Sequence, residues 1–169
     1  LEKYLAAAKS IVDEAVPKVP RVIAETDIPG QKFRKLDDSA TAMPGAGSLC
    51  LSFYQSAQIT NLFIARHPGT YQFKVQFTVR GNNGERGFDS NRCQVVFKAD
   101  DKELIKTDYG WQEKRDFSFD FTERWEPGKH PFTFDLQPLT TNARSSSIQF
   151  QVNRVVVRGP LEQEHWVQP

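Results

Sequence analysis

Residues Tyr71 to Arg80 alternate without a break: Tyr71, Phe73, Val75, Phe77 and Val79 are apolar, while Gln72, Lys74, Gln76, Thr78 and Arg80 are polar. Successive side chains of a strand point to opposite faces. The stretch therefore predicts a long strand with one face in a core and the other in water, the pattern of an antiparallel sheet. Phe117, Phe119 and Phe121 repeat it, as do Phe132, Phe134 and Leu136, and then Ile148, Phe150 and Val152. Past Asn153-Arg154 the apolar parity switches to Val155 and Val157, which predicts a β-bulge at that point. Many short strands with turn signals between them, such as His67-Pro68-Gly69 and Glu126-Pro127-Gly128, predict an all-β fold, an antiparallel β-sandwich of the jelly-roll kind.

One segment does not fit this pattern. Leu1, Tyr4, Leu5, Ala8, Ile11, Val12 and Ala15 fall at helical spacing and form one apolar stripe. Pro17 and Pro20 end it. The expected organisation is an N-terminal α-helix and linker over 1–20, a β-sandwich module over 21–160 and a C-terminal linker over 161–169. Within the module, Val22 to Glu25 is expected as a short strand and Asp27 to Gly30 as a turn. The apolar stripe must be covered, either by the sandwich or by a preceding domain. The start at Leu1 and the stop at Pro169 read as those of a piece cut from a longer protein.

Charge narrows the function. Twenty-two basic and 21 acidic residues leave a net charge of +1, without the basic stripe of a nucleic-acid binder. No apolar run approaches the about 20 residues that span a bilayer. His67, His130 and His165 are scattered and lack the close spacing of a metal pair. There is no Gly-x-Ser-x-Gly elbow, and Gly81-Asn82-Asn83-Gly84 has no helix behind it to hold a phosphate. No Cys-x-x-Cys-His run is present, so the segment carries no covalent haem. Cys50 and Cys93 fall on opposite parities of their strands, one outward and one inward, which favours two unpaired thiols and leaves a disulfide in an oxidising compartment as the alternative. No pair of carboxylates is marked out as an acid and a base, so a hydrolase is the weakest of three readings.

A binding role fits better. Sugar-binding sandwiches use aromatic faces for pyranose rings, with amides, carboxylates and guanidinium groups for hydroxyls. Tyr109 and Trp111 flank Gly110 in an expected loop. Asn82, Asn83 and Asp89 lie in the loop over 81–91, and Asn142 and Arg144 in the loop over 140–147. These seven are the candidate ligand-binding residues. Glu85 and Asp89 are the candidate calcium ligands, as hard oxygen donors. For Trp111, ligand contact and core packing are both open. Trp125, beside Pro127-Gly128, fits the capping of one end of the core better than ligand contact.

Several stretches together resemble a known family. Tyr4-Leu5-Ala6-Ala7-Ala8, continuing through Ile11 to Val16, resembles the helix that precedes a β module in large planctomycete proteins with c-type cytochrome domains. Gly69-Thr70-Tyr71-Gln72-Phe73, the Asp100 to Leu104 turn, Glu126-Pro127-Gly128-Lys129-His130 and Val155 to Pro160 resemble successive landmarks of that module. The module is similar to calcium-dependent, xylan-binding carbohydrate-binding modules. The resemblance implies a non-catalytic, polysaccharide-binding β-sandwich in an exported protein of the periplasm or cell envelope, with helical and cytochrome c domains of the same chain as neighbours. The chain departs from the pattern at Thr140 to Ser147, where related modules often have an acidic, aromatic loop and this one has no carboxylate. That departure weighs against calcium and against a xylan preference. A structural spacer that kept the sandwich without a sugar site is the alternative to a binder.

Overall fold

The computed structural model describes residues 1–15, 19–35, 43–45, 47–81, 89–112, 114–140 and 148–169. After helix α1 (Glu2–Ala15) come eleven strands among the described residues: β1 (Glu25–Pro29), β2 (Arg34–Lys35), β3 (Met43–Gly45), β4 (Ser48–Ser52), β5 (Ala57–Ala65), β6 (Gly69–Gly81), β7 (Cys93–Ala99), β8 (Lys102–Tyr109), β9 (Arg115–Trp125), β10 (Gly128–Pro138) and β11 (Ile148–Arg158). They form two antiparallel sheets. One runs β3-β4-β11-β6-β9 with β1 also paired to β11, and the other runs β2-β5-β10-β7-β8. This is the expected antiparallel sandwich of jelly-roll type.

Strand β11 organises the larger sheet. β6 lines one side of it, from Ile148 opposite Gly81 to Arg158 opposite Gln72. Its other side is shared. β4 pairs with Gln149 to Val152, and β1 pairs with Arg154 to Arg158. The register slips between Val152 and Arg154, so the predicted bulge stands where one neighbour gives way to the other. β1 differs from expectation: the strand begins at Glu25 and runs through the expected turn to Pro29. Backbone pairing with β11 holds it extended, and Pro29 is tolerated because it ends an edge strand. Val22 forms only an isolated bridge, to Val167.

Aromatic rings fill the space between the sheets. Tyr71, Phe73, Phe77, Phe97, Phe132, Phe134 and Phe150 are all buried. Phe97 and Phe134 lie 4.8 Å apart between ring centroids, and Phe77 and Phe150 lie 5.0 Å apart, distances at which offset and edge-on rings attract. Phe117, Phe119 and Phe121 face the same core but are only partly buried. The reason is position: β9 is the outermost strand of its sheet, with no neighbour to cover its far side. Trp125 is a core residue at the end of β9, stacked on Phe73 at 5.5 Å and on His130 at 4.6 Å. Both ring nitrogens of His130 face acceptors, the Asp100 carboxylate at 3.0 Å and the Glu126 carbonyl at 2.8 Å, and this ties the β7–β8 turn to the β9–β10 turn.

The segment after β11, expected as a linker, lies against the sandwich. The Thr70 backbone N–H donates to the Glu162 carboxylate at 2.9 Å, which holds that carboxyl below its ordinary range. Val22 and Val167 exchange backbone hydrogen bonds of 2.8 and 2.9 Å. The His67 and His165 rings stack at 4.5 Å. In contrast, the apolar stripe of α1 is uncovered: Tyr4, Leu5 and Ile11 are all exposed.

Both cysteines are free thiols, on different sheets, with Cys93 fully buried and Cys50 half-buried. Burial pushes the Cys93 thiol from its ordinary 9.0 up to about 12. Between those two pH values the unfolded chain has lost a proton that the folded chain keeps. Stability contributed by the neutral thiol is therefore complete below pH 9 and is lost as pH rises toward 12, at up to ~1.4 kcal/mol per pH unit. Urea titrations at pH 8, 9 and 10 should show a steeper alkaline loss for the wild type than for Cys93→Ala, even though the variant starts less stable. Parallel slopes would contradict the assignment. An aromatic disulfide reagent should label Cys50 in the native protein and Cys93 only after unfolding.

Candidate functional site

The strand ends sort the loops into two groups. Gly69, Trp125, Gly128 and Arg158 lie at one end of the sandwich. At the other end, Gly81 stands opposite Ile148, Pro138 opposite Cys93 and Cys93 opposite Tyr109. The strand ends that flank the connections over 82–92, 110–114 and 139–147 therefore lie at the same end of the sandwich.

The two longer connections are joined at their bases. The Arg92 backbone N–H donates to the Thr140 hydroxyl at 2.7 Å, and the Leu139 N–H donates to the Arg92 carbonyl at 2.8 Å. Asp89 is buried and acts as a clamp. Its carboxylate accepts hydrogen bonds from the Tyr54 hydroxyl, from the Asn91 backbone N–H at 2.9 Å and from the Asn91 amide at 2.8 Å. Tyr54 in turn accepts from the Ile148 backbone N–H at 3.0 Å. One carboxylate thus ties the β4–β5 turn, the approach to β7 and the start of β11. Asp89, expected as a sugar or calcium contact, is thus a buried anchor of this end that also borders the cleft at Trp111.

Tyr109, expected in a loop, belongs to a strand and is largely buried. β8 continues to it, and its ring is buried edge-on to Phe77 at 5.6 Å and to Phe117 at 4.8 Å. Burial also raises its phenol above the ordinary range. The ring is mostly covered by its neighbours and borders the cleft at Trp111. Asn82, Asn83, Glu85, Asn142 and Arg144 lie outside the described residues. Among the described residues, no group of three or more His, Cys, Asp or Glu stands together as a metal site.

Trp111 is the predicted residue that the structure places at an open surface. It is half-buried, packed on the core at one side. It lines a cleft of about 620 Å³ with Asp89, Ser90, Arg92, Asp108, Tyr109, Gln112 and Arg115, so the structure brings three of the predicted residues together. Gly81 sets its position. The Gly81 N–H donates to the Gln112 carbonyl at 2.6 Å, and a Cβ at Gly81 would run into the Trp111 indole and that same carbonyl. The absence of a side chain there lets the 110–112 segment press against β6. The Arg115 guanidinium sits 5.0 Å from the centre of the Phe117 ring, a cation–π contact that steadies the charged group beside the cleft. The cleft thus combines one indole and one phenol with two guanidinium groups, two carboxylates and an amide. Sequence reasoning missed Arg92, Asp108 and Arg115 because they belong to strand ends, where alternation reads them as ordinary outward residues.

No protein-family model matches the chain, and no curated protein matches it. Its fold does have solved counterparts. The chain is similar to the CBM36-1 domain of a multidomain xylanase from the hindgut metagenome of Trinervitermes trinervoides, with a TM-score of 0.50 and 12% identity over 80% of this chain and 98% of that one. It is also similar to a family 35 carbohydrate-binding module from an environmental isolate, with a TM-score of 0.50 and 14% identity over 80% of this chain and 93% of that one. At such identities the likeness is one of fold: this chain is a sandwich built like two carbohydrate-binding modules.

Proposed function

We propose that this domain is a non-catalytic carbohydrate-binding module that holds a polysaccharide at the loop end of the sandwich. The observation that carries the reading is the cleft at Trp111, where an accessible indole stands among Arg92, Asp108, Gln112 and Arg115. An indole face takes the apolar face of a pyranose. The guanidinium groups donate to ring and hydroxyl oxygens, and Asp108 accepts from hydroxyl groups. Likeness of fold to modules of families 35 and 36 supports the reading. No bond is made or broken in it. Calcium, if it takes part, would draw on oxygen donors of the connections beside the cleft, with Glu85 the remaining carboxylate among the candidates. The motif resemblance alone supports placing the domain in an exported, envelope-bound protein with helical and cytochrome c neighbours, and the uncovered stripe of α1 agrees with a helix that packs on something other than this sandwich.

A single ring and a few polar groups bury little area, and binding must also order the sugar. Dissociation constants in the micromolar to millimolar range are expected, or roughly 4–8 kcal/mol. Affinity electrophoresis through gels containing xylan, mannan, galactan or β-glucan should retard the wild type in at least one, with Trp111→Ala losing the retardation and keeping its fold. If Trp111→Ala is destabilised, Arg92→Ala, at the exposed rim, provides the second test. Unchanged retardation in both variants moves the site elsewhere, and no retardation in any gel, with or without calcium, leaves the sandwich as a spacer.

A further inference from the structure

An outermost strand presents backbone N–H and C=O groups with no partner, and a sandwich must blunt such edges or use them. Most edges of this one are blunted. β8 carries Lys102, Glu103, Lys106 and Asp108, and β9 carries Asp116, Asp120, Glu123 and Arg124. β1 ends in Pro29, β3 is Met-Pro-Gly and β2 is two residues long. One stretch of β5 is different. β2 pairs with Thr60 and Ile59 of β5, and its direction takes the chain after Lys35 away from Leu62. Among the described residues no strand lies beside residues 62–65 on the side away from β10. The sequence there is Leu62-Phe63-Ile64-Ala65, without a charge or a proline.

Hydrogen-bond parity shows which backbone groups are open. The Asp100 N–H donates to the Pro131 carbonyl at 2.9 Å, where Ala99 stands opposite Phe132. That offset marks Ala99 and Phe132 as a non-hydrogen-bonded pair. The backbone groups of Phe132 therefore turn to Asn61 of β5, and those of His130 turn to Phe63. Asn61 and Phe63 spend their N–H and C=O groups on β10, while Leu62 and Ile64 point theirs to the open side. Leu62 and Ile64 are 52% and 62% exposed, whereas Phe63 and Ala65 are buried in the core. A strand apolar on both faces is suited to being covered on both, and here one face is bare.

The surround is cationic. Arg66 follows the strand on the parity of Ile64, Lys129 stands opposite Ile64, Arg34 stands opposite Thr60, and the Lys32 carbonyl accepts from the Asn61 amide at 2.9 Å. Among the described residues no ion pair includes any of these four. Arg34 donates to the Gln31 and Phe33 carbonyls, which hold it without neutralising it. Asp100 is committed to His130, and Glu126 in the turn before β10 balances one charge of the four at most. The next carboxylate along β5 and β10 is Asp135, opposite Gln58 and four positions from Leu62.

We propose that this edge of β5 takes an extended, acidic segment of another polypeptide as an added strand. Backbone hydrogen bonds to Leu62 and Ile64 supply the pairing. Aliphatic side chains of the segment cover those two residues, and its flanking carboxylates meet Arg66, Lys129 and Lys32. Two other occupants fit less well. A second copy presents the same cations, and like charges oppose its pairing. A lipid bilayer offers hydrocarbon to Leu62 and Ile64 but leaves their outward N–H and C=O groups without partners.

The probe is the capped heptapeptide Glu-Thr-Val-Thr-Val-Thr-Glu, with lysine in place of both glutamates as the control, titrated into the full chain. The acidic peptide should bind, and the lysine peptide should bind about tenfold more weakly. At saturation the amides of Leu62 and Ile64 should exchange their hydrogens about tenfold more slowly. Ile64→Glu, at an exposed position, should remove binding at an unchanged melting temperature. Should its melting temperature fall, Arg66→Gln together with Lys129→Gln provides the second test, with a loss of about tenfold. The proposal is overturned if the acidic peptide does not bind, if both peptides bind alike, if a variant that melts like the wild type also binds like it, or if the protected amides lie outside β5. It is equally overturned if the wild type dimerises and Ile64→Glu is a monomer, or if phosphatidylglycerol vesicles retain the wild type and release Ile64→Glu. Trp111→Ala should leave peptide binding unchanged, so this edge and the loop-end cleft stand or fall separately.

Discussion

Phe77→Ala and Phe134→Ala should each destabilise the domain by ~3–5 kcal/mol, the cost typical of removing a fully buried phenyl group. The two rings come from opposite sheets, Phe77 from β6 and Phe134 from β10, and neither is exposed to solvent. Phe77 touches Phe117 at 5.3 Å and Phe150 at 5.0 Å, and Phe134 touches Phe33 at 5.4 Å and Phe97 at 4.8 Å. Neighbours held in paired strands cannot move in to fill the gap, so each deletion leaves a cavity. For a chain of this length such a loss lowers the melting temperature by about 6–20 °C. Both rings also meet Phe150, with Phe134 at 6.1 Å. The double variant should therefore depart from additivity by about 0.5 kcal/mol or more. Chemical denaturation of the two single variants decides the matter: losses below ~1 kcal/mol in both would mean that the inward and outward faces have been exchanged.

Gly30→Ala should be as damaging through the addition of one methyl group. Gly30 opens the short 3₁₀ turn after β1, at the point where β11 changes neighbours from β4 to β1. A Cβ there would overlap the Val152 carbonyl and approach the Leu49 backbone nitrogen. Both obstacles are main chain in paired strands, so neither can turn aside as a side chain would. The sheet must open at its junction, at a cost of about 3 kcal/mol. Gly47→Ala is the control, because no atom lies within 4 Å of the added Cβ and the penalty comes only from its φ of +81°, roughly 1–2 kcal/mol. Thermal unfolding of the pair should rank Gly30→Ala well below Gly47→Ala, and equal melting temperatures would show that the junction yields.

The features legible in the sequence were those governed by side-chain burial. Strand β6 could be read residue by residue because it runs through the middle of its sheet with core on one face and water on the other. The bulge in β11 was legible for the same reason, since a slip in register moves the apolar set to the other parity. Strand β1 was not, because Glu25 to Pro29 has no alternation and is held by the backbone of β11. The stretch from Leu161 onward was missed for a similar cause: a carboxylate accepting from Thr70 and two backbone bonds to Val22 leave no periodic trace. At the candidate site, Trp111 stood out as a large ring in a polar connection. Tyr109 was misplaced, although its spacing of four from Ile105 puts it on the same inward parity of β8. Arg92 and Arg115 are brought beside Trp111 by pairing across β6, β7, β8 and β9, a relation between residues far apart in the chain.

Antiparallel pairing of β1 with β11, extended by the Val22–Val167 bridge, has a consequence for how such a unit is carried. The backbone at Val22 and at Val167 thus enters and leaves the sandwich side by side, at the end where Gly69 and Trp125 lie, while Trp111 stands at the opposite pole. Adjacent ends are the geometry that tolerates insertion into a surface turn of another protein, because the host need open only a narrow gap. A fusion through either side, or through both, leaves the far pole pointing away from its carrier.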